Sequence, residues 1–85
     1  MNLNIDGNDI GIDGAIAIAE GLKFNSKIKK LEMKDNSISD RGASAISYSL
    51  RNNKTLTHLD LTCNLITPSG IQQIAKYLIA DPDYV

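Results

Sequence analysis

Apolar positions along the chain change rhythm within each stretch of 28 residues, and the change occurs three times. In the third stretch, Leu56-x-x-Leu59-x-Leu61 ends in the alternation expected of a strand. Asn64 and Ile66 follow, and Thr67-Pro68 then supplies a hydroxyl N-cap and a proline suited to the first helical position. Ile71, Ile74, Ala75 and Leu78 recur at i, i+3, i+4 and i+7, the single apolar stripe of an amphipathic helix. The middle stretch repeats this order with Ile28, Leu31, Met33, Asn36 and Ile38, an expected N-cap at Ser39, then Ala43, Ile46, Ser47 and Leu50. The first gives Leu3, Ile5, Asn8 and Ile10, then Ala15, Ile18, Ala19 and Leu22. The pattern therefore predicts three strand–turn–helix units, over approximately residues 1–27, 28–55 and 56–85.

One such unit cannot bury its own apolar face, so the units must stack. Because a helix returns the chain to the same edge each time, the strands must be parallel. Helices are wider than strands, which curves the stack with strands on the concave face and helices on the convex one. The expected fold is an α/β, right-handed solenoid, a horseshoe segment of about three repeats. Asn8, Asn36 and Asn64 sit where each strand enters its turn, and an amide there can satisfy backbone groups that no ladder reaches. These three are expected to form a structural spine. Gly14, Gly42 and Gly70 fall in the first helical turn and are expected to let the helix approach the strand layer closely. No phosphate-binding glycine pattern surrounds them.

Charge adds little to this picture. The chain of 85 residues has a formal net charge of −1 with both signs intermixed, so neither nucleic acid nor an anionic membrane is an expected partner. The local basic run Lys27, Lys29, Lys30 and Lys34 reads as a solvated approach to the second strand. A single cysteine, Cys63, cannot form an internal disulfide, which points to a reducing, cytoplasmic setting. It is expected to be a small packing residue without a base partner. No signal-peptide-like or membrane-spanning run is seen, and Asn53-Lys54-Thr55 is a chance-level glycosylation pattern.

The middle and third units, Leu31-x-Met33-x-x-Asn36-x-Ile38-x-x-x-Gly42-Ala43-x-x-Ile46 and Leu59-x-Leu61-x-x-Asn64-x-Ile66-x-x-x-Gly70-Ile71-x-x-Ile74, resemble leucine-rich repeats of the ribonuclease-inhibitor class. The resemblance covers essentially the whole chain and rests on positions that build the scaffold. It implies an intracellular protein-binding role through the concave face and its loops, with no cofactor. Similar repeats occur in innate-immune receptors, ciliary and axonemal proteins, actin-capping regulators, bacterial effectors and an activator of a small nuclear GTPase. The leading expectation is a non-enzymatic protein-interaction scaffold. The alternatives are a GTPase-activating module or a structural repeat inside a large assembly.

Alternation within the strands places Asn2, Asn4 and Asp6, then Lys30, Glu32 and Lys34, then His58, Asp60 and Thr62 on the outer face. Across the stack they form the rows Asn2–Lys30–His58, Asn4–Glu32–Asp60 and Asp6–Lys34–Thr62. No aromatic anchor lies on this face. Lys30, Glu32, Lys34, His58 and Asp60 are the candidate protein-contact residues. An open face neither buries nor tightly pairs Glu32, His58 and Asp60, so acid–base chemistry and metal ligation by them are not expected.

Two departures from the repeat bear on partners. Ile12 and Ile16 widen the apolar stripe of the first helix, where the later units carry Asp40/Pro68 and Ser44/Gln72. The first unit is therefore expected to pack against flanking repeats or another subunit, the chain being a segment of a longer array. Asp81-Pro82-Asp83 ends helical continuation.

Overall fold

The computed structural model describes the backbone of residues 1–80 and the side chains of residues 1–76. The side chains of Tyr77 and Leu78, and residues 81–85, lie outside the described residues. Strands β1 (Asn2–Asn4), β2 (Lys30–Glu32) and β3 (His58–Asp60) each precede a helix: α1 (Gly11–Leu22), α2 (Ser39–Ser49) and α3 (Pro68–Ala80). A short 3₁₀ turn, Leu50–Asn52, extends α2. The three strands pair in parallel in chain order, β1 to β2 to β3, as helix-linked crossovers require. Their register keeps the 28-residue offset: Leu3 faces Leu31, and Leu31 faces Leu59. The result is a solenoid segment with a sheet on one side and helices on the other.

The core lies between these layers and is centred on the middle unit. Leu31, Met33, Ile38, Ala43 and Ile46 are completely buried there, joined by Ala15, Ala19 and Leu22 of α1. The same positions in the outer units, among them Leu3, Ile5, Leu59, Leu61 and Ile74, pack against this core but stay half-exposed. Ile71, expected within the helical stripe, is 58% exposed because the described residues place nothing on its far side.

The glycine expectation needs a different partner. A Cβ on Gly42 would stand 2.9 Å from the Cβ atoms of both Ala15 and Ile38, so this glycine admits the neighbouring helix α1 and the preceding turn rather than the strand layer. At Gly70 the same atom would collide with the Asp40 carboxylate of the previous unit. Small residues at the first helical turn thus set the spacing between units.

Helix starts divide into one match and one correction. Thr67 caps α3 as expected, its Oγ1 accepting the Gly70 N–H at 3.3 Å, with Pro68 opening the helix. Ser39 makes no capping bond. Its backbone is left-handed (φ +57°), and its N–H donates instead to the Asn64 carbonyl of the next unit at 2.9 Å. That cross-unit bond, absent from any single-unit reasoning, fixes the conformation. The turns also repeat a left-handed step at Gly7, Asp35 and Cys63, and another at Asp9, Ser37 and Leu65. Each non-glycine residue held there costs about 1–2 kcal/mol of backbone strain, which the bonds described next must offset.

A candidate protein-contact face

Two polar ladders tie the units together, one just after the strands and one just before them. In the first, the Asn36 side chain accepts the Asn8 N–H at 2.8 Å and the Ile10 N–H at 3.4 Å, while its amide donates to the Ile5 carbonyl at 3.0 Å and the Lys34 carbonyl at 3.1 Å. Asn64 repeats this set one unit on. It accepts from Asn36 and Ile38 at 2.8 and 3.4 Å, and donates to Met33 and Leu61 at 2.7 and 2.9 Å. Asn36 and Asn64 are fully buried, so each amide satisfies backbone groups that would otherwise be stranded away from water. The asparagine spine is structural, as its position predicts.

The second ladder escaped sequence reasoning. Asn53, also buried, donates to the Leu22 and Asn25 carbonyls at 2.8 and 3.1 Å and accepts the Thr55 and Leu56 N–H groups at 2.8 and 2.9 Å. Asn25 accepts the Lys27 and Ile28 N–H groups in the same way, both at 2.8 Å. The signal was present in the sequence, since Asn25 and Asn53 keep the 28-residue interval. A third cross-unit tie was also missed. Asp40, at the start of α2, accepts the Thr67 N–H at 2.7 Å and the Thr67 hydroxyl at 2.6 Å, closing α2 onto α3. Those bonds hold the Asp40 carboxyl below its ordinary value.

On the face itself two of the predicted rows are paired in register, while the third, Asp6–Lys34–Thr62, lies in the turns beyond the strand ends. Asn2 pairs with Lys30 and Lys30 with His58, while Asn4 pairs with Glu32 and Glu32 with Asp60. Their chemistry is not uniform. Glu32 is partly neutralised by Lys30 along the same strand, Nζ to Oε1 being 3.7 Å. Such a half-exposed pair contributes at most about 1 kcal/mol to stability, so its value lies in display rather than in folding. Asp60 accepts the Thr62 hydroxyl and the Thr62 N–H (3.0 Å). These two bonds, with smaller help from Lys34 and Lys30, hold its carboxyl below the ordinary value against a small opposing effect of burial. Asp60 is therefore a fixed anion.

His58 and Lys34 complete the set. The Thr57 hydroxyl lies 3.1 Å from the Lys29 carbonyl and 3.0 Å from His58 Nδ1, a contact that orients the imidazole on the strand face. The Lys34 side chain is exposed, while its N–H is taken by the Asp6 carboxylate at 2.7 Å. Asp6 is thereby committed to the turn rather than to a ligand. The five candidates lie on the strand face and the turn that follows β2.

Other placements differ from expectation. Cys63 is exposed in a left-handed turn (φ +59°) and packs no core, because the turn aims its side chain outward. Phe24, in the loop after α1, is 87% exposed, an aromatic contact candidate that the strand pattern did not reveal. Arg51 stacks on Tyr48, 5.7 Å from the ring centre. Among the described residues no three His, Cys, Asp or Glu side chains gather where they could hold a metal ion, and no helix is long and apolar enough to cross a membrane.

Comparison with known proteins agrees with this architecture. The family model for the leucine-rich repeat matches residues 2–19, 24–47 and 52–75. A solved structure described as leiomodin-1 actin-binding site 2 is similar over 94% of this chain, at 32% sequence identity and a TM-score of 0.85. The chain spans about half of that structure's length, covering 47% of it. No curated protein matches significantly. A parallel three-strand sheet, buried asparagines at the turns and three family matches in step establish that the chain belongs to the leucine-rich repeat family.

Proposed function

We propose that this chain is a non-enzymatic protein-interaction scaffold whose strand face is the working surface. The observation that carries the reading is the ordered display of Lys30, Glu32, Lys34, His58 and Asp60 in register across β2, β3 and the turn after β2. The strand register fixes where these side chains are presented, which favours recognition of a surface of alternating charge. A reducing, cytoplasmic location belongs to the same proposal, supported by the exposed lone thiol of Cys63. The test is affinity capture by the protein and by its Glu32→Lys/Asp60→Lys variant, once circular dichroism shows that the variant folds. The expected result is a protein bound by the first and lost by the second. Capture of the same proteins by both sinks the reading.

A more specific partner has one observation in its favour. The likeness to leiomodin-1 actin-binding site 2, at 32% identity over nearly the whole chain, supports actin as the protein bound. Cosedimentation with filamentous actin and titration of monomeric actin test this, with saturable binding as the expected outcome and none in either assay as the refutation.

A further inference from the structure

Strand direction sorts the connections onto two edges. With all three strands parallel, the helix-to-strand loops, residues 23–29 and 50–57, share the edge where the strands begin. The strand-to-helix turns share the opposite one. Charge divides in the same way. The two loops carry Lys23, Lys27, Lys29, Arg51 and Lys54 and no Asp or Glu, and Lys30 and His58 follow at the starts of β2 and β3. The turns hold Asp6, Asp9 and Asp35 against Lys34. The net charge of −1 thus averages a basic edge with an acidic one.

Part of the basic charge is used within the chain. Lys23 pairs with Glu20 at 3.4 Å, and Arg51 lies over the Tyr48 ring. Lys27 and Lys29 are exposed and form no ion pair among the described residues. Phe24 stands in the same loop, 87% exposed. Its exposure does not come from a missing neighbour. The matching residue one repeat on, Asn52, is exposed too, although it belongs to the middle unit, which is flanked on both sides. Ile71 is the contrast, since its counterpart Ala43 is fully buried. The backbone that presents Phe24 is tied on either side. Buried Asn53 donates to the Leu22 and Asn25 carbonyls, and Asn25 accepts the Lys27 and Ile28 N–H groups. Lys29 is held likewise, its N–H donating to the Met1 carbonyl and its own carbonyl accepting from Thr57. An exposed ring bordered by such cations is complementary to carboxylates that flank an apolar side chain.

We propose that this basic edge is a second protein-docking surface, distinct from the strand face, for an acidic segment of a partner protein that carries an apolar side chain. Carboxylates of the segment meet Lys27 and Lys29, and its apolar residue packs on Phe24. The edge runs into the strand face through Lys30 and His58, which are paired in register, and that continuity favours a protein segment over a lipid surface. The test is fluorescence anisotropy of a labelled peptide in which a single leucine interrupts a run of glutamates, titrated with the whole chain and its variants. Saturable binding is expected, weakened about tenfold or more by Lys27→Glu/Lys29→Glu. Phe24→Ala should weaken it about fivefold, yet leave unchanged the binding of the same peptide with serine in place of leucine. All three positions are exposed, so the variants should melt with the parent protein. Glu32→Lys/Asp60→Lys should bind the peptide at least as tightly as the parent, which tells a failure of this edge from a failure of the strand face. No saturable binding, an unchanged affinity in the lysine variant, or an equal effect of Phe24→Ala on both peptides overturns the proposal. So does binding to vesicles of phosphatidylserine and phosphatidylcholine without binding to the peptide.

Discussion

The middle unit and its two neighbours carry similar residues at matching positions, yet they bury them differently. Met33, Leu31 and Ile46 are sealed from water, while Ile5 and Leu61, Leu3 and Leu59, and Ile18 and Ile74 remain half-exposed. Asn36 is buried and makes four bonds, whereas Asn8 is exposed and makes fewer. Burial in this protein is therefore a property of having neighbours on both sides, not of the repeat sequence alone. The difference teaches where stability is stored and where surface is left for partners.

The largest break in the comparison comes from the core. Ile46→Ala should cost about 3–4 kcal/mol of unfolding free energy, because the site is closed on all sides and cannot collapse. Ile71→Ala, at an exposed position of α3, should cost less than about 0.5 kcal/mol. Denaturant unfolding of both measures the gap directly, and equal costs would show that the end units are covered. Asn36→Ala should come next, at about 2–3 kcal/mol, since it strands the N–H groups of Asn8 and Ile10. Asn8→Ala should cost roughly a third as much.

Glycines sharpen the comparison by sign. Gly42→Ala puts a methyl 2.9 Å from Ala15 and Ile38 and should destabilise by about 1–3 kcal/mol. Gly21→Ala meets nothing within 4 Å near the end of α1 and should stabilise by about 0.5 kcal/mol. Thermal melts of the two variants should move in opposite directions. The smallest effect concerns pH. Asp40 has a folded value depressed below its ordinary 3.8, so the stability it contributes is present above that value and is lost as pH falls through the folded one. Asp40→Asn should therefore flatten the fall in urea midpoint below about pH 4. An acid limb identical to that of the parent protein would mean that the tie to Thr67 has no energetic consequence.

Much of this was legible because each element writes a distinct period. The strand alternation ending at Leu61 and the helical stripe of Ile71, Ile74, Ala75 and Leu78 are local patterns, and so is the Thr67-Pro68 start. The rows of Lys30, Glu32, His58 and Asp60 followed from alternation and a fixed repeat length alone. What stayed hidden depends on contacts between units. The left-handed Ser39 answers to Asn64, Gly42 answers to Ala15, and Asp40 answers to Thr67. Cys63 is exposed in a turn tied to the preceding unit through its neighbour Asn64, whose amide donates to the Met33 carbonyl. Local pattern gives the elements, and neighbours decide the conformation at their joints.

The proposed working surface is the strand face and not the helical one. A photo-crosslinking residue placed at His58 on that face, or at exposed Gln72 on α3, tests it most directly in the native setting. A discrete protein adduct is expected from position 58 and none from position 72. An adduct from position 72 alone would contradict it.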